Sequence, residues 1–529
     1  MKRGSWLFVF LLLTFYCFGQ KKELSIVALG AVADGETNNT AVIQKAIDEV
    51  SSLGGGRVII PPGNFMSGTI LLKSGVELHL ELGARLLGST KLNDYLNDNG
   101  RAIIVAKNQK NIAISGKGII DGQGQELLVD VFKQLRSGEL KEKDSSWMYK
   151  RPNERANILR LTNCSDIKIN DITLKNSSDW VQNYIGCNNL VIDGITVQST
   201  TYWNNDGLDI TDSKNVKIVH CNINSTDDGI CIKSEDATIG CENIYVDSCK
   251  IRSSANGFKF GTSSAGGFRN IRVRNLYIYD TYRSAIAIEC VDGGGAENID
   301  IQNIKAVNTG NAIFIRRGHR NTDARNGATR NVYIANVKVD VPFLKPDQGY
   351  PIEGPPDHLH PGYDKMPVRP SNYHIYGHPF LPYNLIPSSI VGIPGYPVQG
   401  VTLENIEINF GGNADKSIAN IPLKSITSIP ENEAGYPDFS MWGELPAWGF
   451  YVRHAEGITM KNVTVKYLAD DFRPAFVFDD AKSINLTGIN IPTVKEMPVV
   501  LFNNATNIIT KNLKMPVSEA AGVMKTDYR

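Results

Sequence analysis

The sequence has no excess charge of either sign. Its 55 lysines and arginines match 55 aspartates and glutamates over 529 residues, so no global field favours nucleic acid or an anionic membrane. Affinity for an acidic ligand must come from a local patch. Beyond residue 18 there is no apolar run long enough to cross a bilayer. Cysteine is scarce, with eight residues, and the spacing of the seven beyond Cys17 fits neither a compact disulfide framework nor a zinc site. Those seven read as small buried residues stacked inside the fold, with Cys241–Cys249 as the candidate bridge. No cofactor motif is present. The fixed phrase of leucine-rich repeats is missing too, and helical periodicity is rare.

The N-terminus has the form of an export signal. Lys2 and Arg3 precede an apolar run from Trp6 to Phe18, and Gly19-Gln20-Lys21-Lys22 follow. That run is too short to span a membrane and ends in small-residue character, so cleavage near Gly19 is expected, with delivery to the periplasm or the exterior. Cys17 raises lipid attachment as an alternative, but Thr14-Phe15-Tyr16 is bulky where a small residue is needed.

What the chain has in abundance is a repeat. Phrases such as SDIKINDITL, NNLVIDGITV, KNVKIVHCNI, ENIYVDSCKI, RNIRVRNLYI, ENIDIQNIKA and RNVYIANVKV recur, and weaker copies follow to the C-terminus. Their first core aliphatics fall at 167, 190, 216, 244, 271, 299 and 332. Short alternating strands at this period predict an all-β fold, a single-stranded right-handed parallel β-helix in which each coil buries its face on the next. A propeller would need longer repeats. Thr40 followed by Val42, Ile43, Ala46, Ile47 and Val50 predicts a helix capping the first coil. The expected organisation is a signal at 1–19 and one catalytic β-helix over 20–529. Two stretches break the rhythm: residues 121–157, with a short helical pattern near Glu126–Gln134, and a Pro-rich insertion at about 341–400. The insertion holds 13 of 24 prolines and four of eight histidines (His358, His360, His374, His378). The histidine spacing matches no metal motif, and an ordered flap over a groove is the expected role.

A second strand repeats as NNDGLDITD, DDGICIKSE, NGFKFGTSS, SAIAIECVD and NAIFIRRGH, with inward pairs starting at Leu208, Ile230, Phe258, Ile286 and Ile313. Equivalent residues of stacked coils lie about 4.8 Å apart. The position two before each inward residue therefore forms a column: Asp206, Asp228, Asn256, Ser284, Asn311. With Asp227 adjacent, three carboxylates crowd onto two neighbouring coils at a strand edge expected to face solvent. Such crowding keeps at least one acid protonated beside ionised partners, and this is what glycoside hydrolysis requires. Asp206, Asp227 and Asp228 are the candidate catalytic residues, with no metal expected. Outward columns read Asp209, Cys231, Lys259, Ala287, Phe314 and Thr211, Lys233, Gly261, Glu289, Arg316. They nominate Asp209, Lys233, Asn256, Lys259, Glu289, Arg316, Arg317 and His319 as substrate-binding residues, with Arg320 beside them, in a groove for a polar, multi-hydroxyl, partly anionic ligand.

From about residue 25 to 335 the sequence resembles the polygalacturonase-type hydrolases of glycoside hydrolase family 28, which share the pectin-lyase-like solenoid. The resemblance rests on LELGARLLGST, GIIDGQGQ, Arg151-Pro152, NNDGLD and Asp227-Asp228. It implies that Asp227 is the general acid, that Asp206 and Asp228 hold the attacking water, and that configuration inverts. Two departures stand out. The family's Gly-His-Gly is Ala255-Asn256-Gly257 here, and its carboxylate-gripping Arg-Ile-Lys is Ala287-Ile288-Glu289. A galacturonan, a rhamnogalacturonan-like region or another acidic or sulfated polysaccharide therefore all remain open as the substrate. The insertion and SMWGELPAWGFYVRH, with Trp442, Trp448 and Tyr451 as sugar-stacking candidates, are expected to close one end of the groove and favour exo action. Two rival readings use the same architecture. One is a calcium-dependent polysaccharide lyase with Lys259 as base; the other is a non-catalytic carbohydrate-binding solenoid.

Overall fold

The computed structural model describes residues 22–98, 100–141, 152–344, 384–413, 423–496 and 498–528. The export signal, Cys17, Arg151, the four histidines of the insertion and residues 345–383 lie outside the described residues.

Asparagine sets the period of the coil. Asn189, Asn215, Asn243, Asn270, Asn298 and Asn331 all take φ between 54° and 61°, the left-handed conformation that asparagine tolerates better than other side chains. Each turns the chain into the next strand, which explains why the repeat phrase opens on Asn. The amides also stack: Asn243 donates to Asn215 at 3.2 Å, Asn298 to Asn270 at 3.1 Å and Asn331 to Asn298 at 3.3 Å. A second ladder at the following corner runs from Asn303 through Asn336 and Asn405 to Asn462. Behind them Ile167, Leu190, Val216, Ile244, Ile271, Ile299 and Val332 are direct register partners from coil to coil. The stack continues through Val401, Ile458, Ile484 and Ile508. The named strands pair in parallel throughout, and their apolar residues fill one continuous core. Crossover handedness makes such a coil right-handed.

The first helix, Thr40–Ser52, buries Ile43, Ala46, Ile47 and Val50 against the opening coil, as the periodicity predicts. A second helix, Gly124–Ser137, occupies the first break in rhythm. Three expectations change. All seven described cysteines are free and buried, so Cys241 and Cys249 form no bridge; Cys249 lies one corner further along the coil than Cys241. The insertion is shorter than 341–400, because Ser388–Val391 and Val398–Phe410 are already strands of the stack. The outward face of the later coils is not an open groove. Residues 423–447 lie across it, packing Ile426, Ile429, Phe439, Met441, Trp442 and Leu445 onto Phe314, Val391, Tyr451, Val477 and Leu501. Trp442, Trp448 and Tyr451 are accordingly buried in apolar packing, with Trp442 against Phe314 and Trp448 against Phe410 and Tyr467.

Candidate active site

Each acidic motif sits where the chain turns inward to start a strand. Gly207 donates to the Asp228 carbonyl at 2.8 Å and Gly229 to the Asn256 carbonyl at 2.8 Å, so the column Asp206, Asp228, Asn256 stacks in register. Glycine is required after the aspartate. A Cβ at Gly229 would lie 2.3 Å from the Ile251 methyl and 2.7 Å from the Gly257 carbonyl. Asn205 ties the first turn together, accepting from Ser199 Oγ and Thr201 N and donating to the Asp179 carbonyl. Ser225 and Ser253 hydroxyls hold the Asp227 carbonyl.

The result is a cavity of about 230 Å³ lined by Trp180, Asn204, the three aspartates, Lys233, Lys259, Thr262, Ser263, Arg320 and Tyr436. One carboxylate oxygen from each of Asp206, Asp227 and Asp228 lies within 4.8 Å of the other two. A larger concavity, about 730 Å³, lies on another face of the coil; its lining has a single carboxylate, Asp300, so acid–base chemistry belongs to the smaller one, where three converge.

The three acids are not equivalent. Asp206 and Asp228 are each 3% exposed, not solvent-facing as the sequence suggested, because Lys233 and Lys259 lie over them. Lys259 Nζ contacts Asp228 Oδ2 at 3.0 Å and Glu289 Oε2 at 3.4 Å. Burial works to raise Asp228, but Lys259, Arg283, Lys233 and a hydrogen bond from Asn256 outweigh it and hold the carboxyl down to about 2. The companion acid of this pair, Glu289, is pushed up to about 7 by burial despite Lys259. One ammonium thus serves two carboxyls, and the retained proton sits on Glu289. The other half repeats the arrangement. Lys233 Nζ lies 2.9 Å from Asp206 Oδ2, 2.7 Å from Asp209 Oδ1 and 3.5 Å from the centre of the Trp180 ring. Burial raises Asp209 to about 6 and pushes Asp206 well up, the neighbouring carboxylates adding to it for Asp206. Burial opposes charge on Lys233 and Lys259, yet their acids keep both ammonium groups firmly protonated. Asp206 Oδ1 is buried with no hydrogen-bond partner among the described residues.

Asp227 differs from both. It is half-buried, and its carboxylate meets the Asp228 backbone amide at 3.0 Å and the Asn204 amide at 3.5 Å rather than an ammonium group.

Of the eight residues expected to bind substrate, Lys233 and Lys259 line the cavity, though both are committed to the aspartates. Asp209, Asn256 and Glu289 form the shell behind them. Gly261 does not share a column with Lys233, because the register shifts and Ser234 pairs with Ser264. Arg316, Arg317 and His319 lie outside the cavity. Arg316 is fully buried, donates to the carbonyls of Gly392, Glu431 and Asn432, and stacks on Trp442. Arg317 is held by Asn326 and the Pro397 carbonyl, and His319 by the Asp323 carbonyl. For Arg316 the physical reason is the segment over the later coils, which no strand pattern announces; Arg317 and His319 are taken up by the neighbouring loops instead. That segment also delivers Tyr436 to the cavity and is anchored there by Arg283–Asp438 at 3.0 Å. Trp180 stands outside the repeated strand phrases, whereas Asn204 lies in NNDGLD and Thr262 and Ser263 in NGFKFGTSS, none of them nominated by the column pattern. Arg320 reaches the site paired with Asp292 at 2.8 and 2.9 Å.

The raised acids set a pH dependence of stability. Glu289 and Asp209 keep protons in the folded chain that they lose at about pH 4 when unfolded. The native state therefore binds more protons across the window from about 4 to 7, and stability falls as pH rises through it. Glu289→Gln is expected to shrink the difference in thermal midpoint between about pH 5 and pH 8, read by calorimetry.

A coil of parallel strands carrying three converging carboxylates, two of them balanced by buried lysines, defines a β-helical enzyme of acid–base chemistry. The chain belongs to Glycosyl hydrolases family 28, whose pattern matches residues 51–341, more than half its length; it is a glycoside hydrolase. It is 26% identical over 420 residues to a Vitis vinifera protein named "Probable polygalacturonase", covering 74% of this chain and 75% of that one. It is also 26% identical to an exo-poly-alpha-D-galacturonosidase of Dickeya chrysanthemi, covering 53% of this chain and 54% of the other. The family 28 exopolygalacturonase of Yersinia enterocolitica shares the fold, with TM-score 0.54 at 19% identity over 92% of this chain and 78% of that one. No helix among the described residues is long and apolar enough to cross a membrane.

Proposed function

We propose that the protein is an exported, exo-acting hydrolase of a pectic or related acidic polysaccharide, working with inversion. The observation that carries this reading is the asymmetry of the three aspartates. Asp228, held at about 2 by Lys259 and its neighbours against burial, is the ionised base that takes a proton from the attacking water. Asp206 offers the unpartnered Oδ1 to the same water. Asp227, the half-buried acid of the pair that matches the family's Asp-Asp motif, is the general acid that protonates the leaving glycosidic oxygen as the bond to the anomeric carbon breaks. Substrate class is drawn from the relatives, which are named for action on galacturonans. Binding of an acidic sugar here does not use the family's Arg-Ile-Lys grip. Arg320, Thr262, Ser263 and Tyr436 are the groups that would meet it.

The segment 423–447, packed on the outward face of the later coils beside the cavity, supports exo action. On polygalacturonate, small products are expected from the first minutes while viscosity falls slowly. A rapid viscosity drop with mixed long oligomers would mean endo cleavage. Proton NMR of the first anomer released reports the stereochemistry: retention would remove the inverting mechanism. Inversion comes from the family pattern, whereas carboxylate oxygens within 4.8 Å lie near the shorter spacing usual for retaining enzymes, about 5–5.5 Å between carboxyl groups. That makes this measurement decisive. Products absorbing in the ultraviolet would instead establish a lyase.

A further inference from the structure

The larger concavity, about 730 Å³, lies on the face of the coil that follows the active-site strands. Its floor is the outward column Tyr245, Arg272, Asp300, Tyr333, which continues to Lys217 one coil before Tyr245, all direct register partners. Tyr245 and Tyr333 are three coils apart, about 14 Å, room for several sugar rings. Both rings are tethered through their hydroxyls, Tyr245 donating to Asp247 at 2.6 Å and Tyr333 to Glu404 at 3.1 Å, and both are half-buried. Rigid aromatic faces of this kind stack on the apolar face of a pyranose at small entropic cost.

The charge along the column is one-sided. Asp300 is engaged by Arg274 and by Gln302, and Asp247 by Tyr245, Ser248 and Asn275. Lys217 and Arg272, flanking Tyr245 on either side, make no ion pair among the described residues. The asparagine ladder forms the rim: Asn270 donates to Asn243 and accepts from Asn298, leaving a second N–H and a second lone pair on the amide for hydroxyl groups.

We propose that this groove is a second carbohydrate-binding site, separate from catalysis, for an acidic oligosaccharide lying along the helix axis. Sugar rings stack on Tyr245 and Tyr333, and a carboxylate between them meets Arg272. Such a site holds the enzyme on its polymer between cleavage events. The ligand class rests on the proposed function, so binding and turnover are measured separately.

The test is affinity electrophoresis in gels containing polygalacturonate or its carboxyl-reduced neutral form, with Asp227→Asn as background so that the gel is not digested. Retardation by polygalacturonate is expected, weakened roughly tenfold by adding Tyr245→Ala and Arg272→Ala, and slight on the reduced polymer. With Asp227 intact, the Tyr245→Ala/Arg272→Ala variant should keep its kcat/KM on a short soluble oligomer and its thermal midpoint. No retardation, retardation unaffected by the two substitutions, or equal retardation on the neutral polymer would each overturn the proposal. Retardation by polygalacturonate without turnover would sink the proposed activity and leave the groove standing.

Discussion

Asp227→Asn is expected to cut turnover by orders of magnitude while leaving the protein folded and able to bind. The substitution keeps the size of the side chain and one oxygen to accept from the Asp228 amide, while its NH2 faces the NH2 of Asn204 and gives up only the longer, 3.5 Å contact there. The leaving oxygen then has no acid. A positioned general acid contributes about 10²- to 10⁴-fold, so kcat should fall by that range with KM little altered, measured as new reducing ends. An unchanged kcat would move the acid role elsewhere. Asp206 is then the next candidate, because burial pushes its carboxyl upward.

The second large effect is expected at Lys259. In Lys259→Met the ammonium disappears from between Asp228 and Glu289, both almost fully buried. Breaking a buried pair by deleting one partner costs about 3–5 kcal/mol, since the remaining charge stays desolvated. Adding Glu289→Gln should recover little, because Glu289 already holds its proton below about 7. The diagnostic readout is the pH profile. Asp228 now sits at about 2, below its value in an unfolded chain, so its contribution to stability is present above about pH 4 and is lost as pH falls toward 2. Without Lys259 burial dominates and the carboxyl rises. The acid limb of kcat/KM should therefore move to higher pH, with activity partly restored as pH increases. A uniform loss at every pH would mean that Lys259 supports the fold but does not tune the base.

These two residues show where sequence reading succeeds and where it stops. Asp227 was legible because a coil repeats at nearly constant length. Aligning DDGICIKSE beneath NNDGLDITD brings the acids together without any coordinates, and the observed register from Leu208 to Ile230 is the aligned one. Lys259 was legible in position but not in role. Its column was correct, yet an outward lysine in a hydrophilic groove was expected to meet solvent and substrate. Only in three dimensions does it come within 3.0 Å of Asp228. Arg316 was placed correctly on its strand and still misread, because residues more than a hundred positions later fold over it.

The sequence by itself determined the coil, its cap, the order of its inward residues and the meeting of Asp206, Asp227 and Asp228. Each of these depends on local turn chemistry and on a period that repeats, and neighbours in a stack are neighbours in an alignment. Tertiary structure alone decided which lysine neutralises which acid, the burial that splits their proton affinities, the covering of the later coils and the arrival of Tyr436. Those depend on segments that obey no period, brought together only when the whole solenoid has buried its face.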